Sequence, residues 1–299
     1  MATTSDGASA SDRASASDRA SASGQVPVSG RAPASGQWFP ADWPDRIRAL
    51  ARGELTPVPA RPAATVLLLR DGDAGPEVFL LRRRRSMAFA GGAHAYPGGS
   101  VDPRDGVAGD DPGALAVLAA LRELFEEAGV LLAGPDEESL VADVTGEDWE
   151  ADRRALVARE LSFSAFLARR GLLPRGDLLR PWARWITPEF ESRRYDTWFF
   201  AAALPPGQRT RNASTEADHA AWLPPAEAVA GFDRGELPMM PPTAATLRQL
   251  LRYRTAAEAL AGAAAHDLTP VIARATLEGD EVVLSWPGHH EFEKRVRER

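Results

Sequence analysis

Three glutamates in the run RELFEEAGV, Glu123, Glu126 and Glu127, have a spacing that chemistry could use. On a helix, positions i, i+3 and i+4 share one face, here an arc of about 100° at 3.6 residues per turn. The placement is unfavourable by itself. Glu123 and Glu127 are like charges one turn apart, a cost of roughly 0.2–0.5 kcal/mol. All three also lie toward the C-terminal end of the helix, where the macrodipole disfavours anions. Arg122 can reach Glu126 at i, i+4, but one cation against three anions is incomplete relief. A hard divalent cation, Mg²⁺ or Mn²⁺, prefers carboxylate oxygens and would complete it. The competing reading is a solvated helix face, on which such strings are common.

The loop upstream favours a site. FAGGAHAYPGGSVDPRDG is rich in glycines, which let backbone approach a ligand closely because they carry no Cβ. Exposed amides in such loops suit phosphate oxygens. A glycine loop feeding a carboxylate-bearing helix is an arrangement for metal-assisted phosphoryl chemistry.

These residues resemble the Nudix hydrolase box, G-x5-E-x7-R-E-U-x-E-E-x-G-U, where U is bulky and apolar. Arg122, Glu123, Leu124, Glu126, Glu127, Gly129 and Val130 match its second half at every fixed position, and Gly99 matches its opening glycine. Where the box expects Glu stands Asp105, one methylene shorter. Sixteen residues rather than seven separate Asp105 from Arg122, and part of the nine-residue excess, GVAGDDPG, reads as added loop. The stretches EVFLLRRRRSMAFAGGAHAYPGGSVDPRD, WARWITPEFESRRYDTWFF and STEADHAAWLPPAEA resemble the branch of the animal peroxisomal coenzyme A diphosphatases, which also carries an insertion in the box. The resemblance covers roughly 64–250.

What it implies is an α/β fold, a Nudix-type α/β/α sandwich with a mixed β-sheet and helical insertions. It also implies Mg²⁺- or Mn²⁺-dependent cleavage of a diphosphate in a small-molecule nucleotide, with coenzyme A or acyl-CoA as the first substrate. By the same resemblance Glu123, Glu126, Glu127 and Asp105 are the metal ligands. Glu126, Glu127 and Arg122 are catalytic, Arg122 by orienting the glutamates. Gly98 and Gly99 meet the substrate, and a carbonyl there assists the metal. Glu216, in the loop before a strand, is a further base or ligand, balanced against an ordinary exposed glutamate. His94 and His219 are weaker candidates, read first as loop or surface histidines. The run Arg82–Arg85 reads slightly more readily as a solvated strand end, with Arg83 and Arg85 as the candidates to receive a substrate phosphate. Alternation along a strand lets at most two of the four serve one site. Trp182, Trp185 and Trp198 read as sheet core before nucleobase platforms. An ADP-ribose or NADH pyrophosphatase and a non-catalytic nucleotide sensor on the same fold are the rival readings, and a homodimer is an assembly common in the family.

The elements that must position this chemistry alternate along the chain. ATVLLLR (64–70) and EVFLLRR (77–83) are strand runs joined by the hairpin signal DGDAGP. HAYPGG reads as a strand end entering a loop. A helix is expected over 114–128, with Asp111 as N-cap, Pro112 at its first position and Gly129 as terminator. Further expectations are a helix over 152–171, strands at 182–187, 196–204 and 220–223, a long helix over 243–265 and a closing hairpin in VIARATLEGDEVVLSW. Residues 1–36, built on ASASDRASASDRASAS, read as a disordered tail, with order beginning near Trp38 and a single domain over 37–299.

Composition bounds the rest. With 299 residues and 44% hydrophobic side chains the chain can build a real core. A net charge of −7 argues against nucleic-acid and membrane-surface binding. No run approaches the roughly 18 apolar residues of a membrane span. The absence of cysteine excludes thiolate chemistry and fits a reducing cytoplasm.

Overall fold

A strand buried on both faces organises the molecule. In β1 (Arg61–Gly72) the stretch Ala63–Leu69 is buried throughout, which explains its unbroken apolar run. The structure, a computed structural model, describes residues 42–87, 90–106, 111–278 and 281–297. The expected tail 1–36 and Trp38 lie outside the described residues.

The helices are α1 (Trp43–Ala51), α2 (Pro112–Ala128), α3 (Glu147–Val157), α4 (Phe163–Arg170), α5 (Pro225–Asp233), α6 (Pro241–Leu250) and α7 (Ala256–Gly262). The strands after β1 are β2 (Gly75–Arg83), β3 (His94–Ala95), β4 (Gly98–Ser100), β5 (Ala133–Gly134), β6 (Leu173–Pro174), β7 (Arg180–Ile186), β8 (Tyr195–Ala203), β9 (Ala217–Leu223), β10 (Val271–Ile272), β11 (Arg274–Glu278), β12 (Glu281–Ser285) and β13 (Lys294–Arg297). The main sheet is mixed: β1 runs parallel to β8 and antiparallel to β2 and β4. The start of β1 pairs with β4 and its end with β2. Between these two pairings, Val66 N–H donates to Pro97 O at 2.9 Å. Pro97–Gly99 is thereby held against the middle of the sheet.

Alternation sends Val66, Leu68, Phe79, Leu81 and Phe200 to one face, under α2, α3 and α4. Leu67, Leu69, Val78, Leu80 and Phe199 go to the other, under α1, α5, α6 and α7. The result is an α/β/α sandwich. The β1–β2 hairpin, the strands β7, β8 and β9, and α2 with its caps stand where the sequence places them. Asp111 accepts from Ala114 N–H at 3.2 Å, and Gly129 ends α2 in the left-handed region at φ 67°. Among the described residues, no helix is long and apolar enough to cross a membrane.

Three expectations need correction. The single helix over 152–171 is two, α3 and α4. Arg159 turns left-handed at φ 60°, and the Ser162 hydroxyl restarts the helix by accepting from Ala165 N–H at 3.2 Å. The long helix over 243–265 is also broken, into α6 and α7, where Thr255 Oγ1 accepts from Glu258 N–H at 3.0 Å. In both, a hydroxyl residue inside a helical pattern captures an amide and starts a new helix. The closing hairpin β11–β12 gains a third strand, β13, and β10 joins the main sheet beside β7.

Candidate active site

The glutamates do not lie on a solvated face. Glu123 and Glu126 are only 9% and 8% exposed, Glu123 lying against Gly99 of β4 and both against the Arg122 guanidinium. Leu121 and Phe125 are fully buried as expected, while Leu118 is half-buried. An acidic row therefore sits inside the protein, and the groups that satisfy it define the site.

Arg122 is the hub. Its Nη1 donates to Glu123 Oε1 at 2.8 Å and to Glu126 Oε1 at 3.0 Å. Its Nε donates to Asp105 Oδ2 at 2.6 Å and its Nη2 to Ser100 O at 2.8 Å. Asp105, 2% exposed, uses its other oxygen to accept from Phe163 N–H, the first amide of α4, at 2.9 Å. With one oxygen on Arg122 and the other on the Phe163 amide, Asp105 stands as a positioning partner of Arg122.

Glu127 is held by neutral donors. Gly98 N–H reaches its Oε2 at 2.9 Å and Ser214 Oγ its Oε1 at 3.1 Å. The glycine loop thus contributes an amide here, where a carbonyl was expected. Gly99 lies so close that a Cβ on it would stand 2.3 Å from Glu123 Oε1. Ser214 was not singled out from the sequence. Its signal was proximity to Glu216 in STEADH, since Ser214 Oγ also accepts from Glu216 N–H at 3.1 Å.

Burial raises the Glu123 carboxyl to about 8, with the charge of Glu127 adding to the shift against the opposing pull of Arg122. Glu127 is pushed up to about 7, chiefly by burial and then against the two hydrogen bonds it accepts, with Glu216 adding repulsion. Glu126 is raised by burial too. In the opposite sense, the clustered carboxylates hold the Arg122 guanidinium firmly charged although burial opposes it.

Arg83 shares the sheet face of Leu81 and approaches Glu216 at 3.5 Å, with its Nε buried and unpartnered. Glu216 itself is exposed, at the mouth of the row. Arg85 is exposed and makes no described contact with the glutamates. Arg82 faces the other side of the sheet, ion-paired to Asp218 at 2.6 Å. His94 and His219 flank Arg82 in the strand register and share that opposite face, so neither joins the carboxylates. His94 is 8% exposed, and burial lowers its pKa. Trp182 and Trp185 are core residues, while Trp198 is half-buried beneath the Arg184 guanidinium at 4.9 Å. The two open depressions of the surface, about 430 and 290 Å³, are lined by residues such as Asp71 and Leu260, and by Arg180 and His266, away from the glutamates.

Among the described residues no three acidic or histidine side chains are already gathered around one point as a metal cage. The donor set nonetheless fits a hard cation. One guanidinium serves three carboxylates, Glu127 has no cation bonded to it among the described residues, and the second oxygens of Glu123 and Glu126 are not taken by Arg122. Each carboxylate oxygen also retains a lone pair beyond one hydrogen bond.

Comparison with known proteins agrees with this geometry. The family model described as the NUDT19 Nudix domain matches residues 108–250. The chain is 30% identical over 184 residues to an acyl-coenzyme A diphosphatase NUDT19 of Xenopus laevis, covering 57% of this chain and 46% of that protein. Against the protein of the same name from Gallus gallus the identity is 31% over 187 residues, with coverages of 52% and 47%. The chain spans about half the length of these curated relatives. The crystal structure of a NUDIX hydrolase from Alicyclobacillus acidocaldarius superposes with a TM-score of 0.63 at 30% identity, over 71% of this chain and 99% of that one. The chain belongs to the Nudix hydrolase family.

Proposed function

We propose that this protein hydrolyses the diphosphate bond of a nucleoside-diphosphate-linked small molecule with Mg²⁺ or Mn²⁺, and that coenzyme A or an acyl-CoA is its first substrate class. The observation that carries the reading is the buried row itself. Two glutamates of one helix end, with Asp105, share a single guanidinium, while the third, Glu127, is held by neutral donors beside a glycine loop. Burying that much like charge costs stability, and a cation holding a diphosphate would recover it. The relatives named acyl-coenzyme A diphosphatases support the substrate class.

A bound Mg²⁺ or Mn²⁺ would neutralise diphosphate oxygens and lower the pKa of an attacking water. The rest falls to the chain. Arg122 fixes Glu123 and Glu126 in place, with Asp105 fixing Arg122. Gly98 N–H and Ser214 Oγ aim Glu127. Glu216, exposed beside this pair, is placed to take a proton from water, and Arg83 is placed to face substrate charge. Cleavage of coenzyme A at its diphosphate would yield 3′,5′-ADP and a phosphopantetheine product.

The test is product release from coenzyme A, acetyl-CoA, ADP-ribose, NADH and diadenosine polyphosphates with Mg²⁺ or Mn²⁺, beside a Glu127→Gln control. Turnover of coenzyme A or its thioester, lost in the control, is the expected result. Preference for ADP-ribose or NADH would move the substrate class. Binding without turnover on every compound would make the protein a nucleotide sensor.

A further inference from the structure

The last turn of an α-helix leaves carbonyls without intrahelical partners. At the end of α2 those carbonyls belong to the acidic row. Gly129 N–H takes Phe125 O at 3.0 Å and Val130 N–H takes Leu124 O at 3.4 Å. The next three carbonyls are taken from outside the helix. Arg153 Nη1 donates to Glu126 O at 2.8 Å, Ala213 N–H to Glu127 O at 3.1 Å and Arg211 N–H to Ala128 O at 3.0 Å.

Arg153 Nη1 also donates to Ala213 O at 3.0 Å. One nitrogen of α3 therefore joins the glutamate helix to the loop that carries Ser214 and Glu216. Arg153 is 7% exposed, and its Nε and Nη2 are held by Glu150 at 2.9 and 2.6 Å. Glu150 accepts from Arg211 Nη2 at 2.8 Å as well, so both ends of the loop contact rest on one carboxylate. Arg211 in turn lies over Gly129, where a Cβ would stand 2.9 Å from its Nε. A planar fork of donors fits this junction, and a lysine ammonium does not reproduce it. A cation here also suits the negative end of the helix dipole.

We propose that Arg153 is a positioning residue for hydrolysis: it pins the 211–216 loop to the carbonyl end of α2 and so fixes Ser214 and Glu216 relative to Glu127. The proposal rests on the hydrolytic reading of Glu127 and Glu216. Among the described residues Arg153 hydrogen-bonds to Glu150 and to backbone carbonyls, so it acts through the loop.

The experiment compares Arg153→Met, Arg153→Lys and Arg169→Gln in the full chain. Arg169 is a control from α4, paired with Asp152 of α3 and making no described contact with α2 or the 211–216 loop. Arg153→Met should lower kcat on the order of a hundred-fold, the cost of misplacing a catalytic group by about 1 Å, with KM nearly unchanged. Arg153→Lys should recover part of the loss, and Arg169→Gln should match the parent. In a Glu216→Gln background, Arg153→Met should cost far less, because the group it positions is already gone. Amide hydrogen exchange at Arg211 and Ala213 should speed up in Arg153→Met and not in Arg169→Gln, whether or not any diphosphate is turned over. Unchanged exchange at those two amides overturns the proposal, as does an equal kcat loss in both backgrounds or in the control. If no diphosphate is hydrolysed while exchange responds as expected, the hydrolytic reading fails and the clamp alone stands.

Discussion

Gly98 and Gly99 are neighbours with opposite reasons for being glycine, and substituting each by alanine separates site from scaffold. A Cβ on Gly99 would lie 2.3 Å from Glu123 Oε1 and 2.6 Å from its Cδ. Ordinary contact begins near 3.4 Å, so the carboxylate must retreat by about 1 Å. That retreat strains the 2.8 Å bond to Arg122 and shifts a group of the acidic row. Because the obstacle is the end of a side chain, the stability cost should fall at the low end of the overpacking range, about 1 kcal/mol, a melting shift of a few degrees. Activity should drop on the order of a hundred-fold, the price of misplacement at that scale. At Gly98 the Cβ would meet Ala64 O at 2.6 Å and Thr65 Cβ at 2.6 Å, atoms of the central strand that cannot swing away. Gly98→Ala should therefore destabilise by about 3 kcal/mol or more and lose soluble protein before it loses chemistry. Thermal melts and diphosphatase assays on the two variants read both effects. A Gly99→Ala protein of parental activity would refute the placement of Glu123 in the working site.

Asp105→Ala should leave a buried guanidinium and the Phe163 amide short of a partner and cost on the order of 3 kcal/mol. Asp105→Asn, which keeps an acceptor for Phe163, should cost less in the same urea titration, and equal losses would count against the positioning role. Stability of the metal-free protein should fall as pH rises from about 4.5, the ordinary glutamate value, through about 7 and about 8, where Glu127 and Glu123 ionise in the fold. A carboxyl with a raised folded pKa keeps its proton in the native state after the unfolded chain has released it, so stability declines across that window. On the proposed function, Mg²⁺ or Mn²⁺ would bind the ionised pair and should raise the melting temperature more at about pH 8 than at about pH 5. A gain independent of pH, measured against EDTA-treated protein, would show that the cation binds elsewhere.

The parts of this fold legible in the sequence are those with strong local chemistry. Asp111, Pro112 and Gly129 bracket α2 because caps and terminators act within a few residues. The β1–β2 hairpin was legible for the same reason. The breaks at Ser162 and Thr255 were not, because an apolar period continues across each while a hydroxyl captures an amide. The row Glu123, Glu126, Glu127 was legible as a spacing, but its burial was not. α2 looks one-sided in sequence, and its acidic side is closed by Gly98 and Gly99 of β4 and by Ser214, which fold back onto it from elsewhere in the chain. Ser214 and Arg153 carry no pattern of their own; both act through contacts more than 25 residues away along the chain.

The departure of Asp105 from the family box and the helical segment 147–170 explain one another. A glutamate would place its carboxylate one methylene further along, yet Asp105 already reaches Arg122 Nε at 2.6 Å. Its second oxygen is met by the first amide of α4, whose unpaired N–H groups favour an anion. The shorter side chain is thus held by a donor that the segment between α2 and β7 supplies. The same segment returns at α3, where Arg153 takes the carbonyl of Glu126 at the opposite end of the row. One helical segment therefore braces the acidic helix twice, at Asp105 through an amide and at Glu126 through a guanidinium. Deleting it would leave Arg122 and the 211–216 loop each short of a partner.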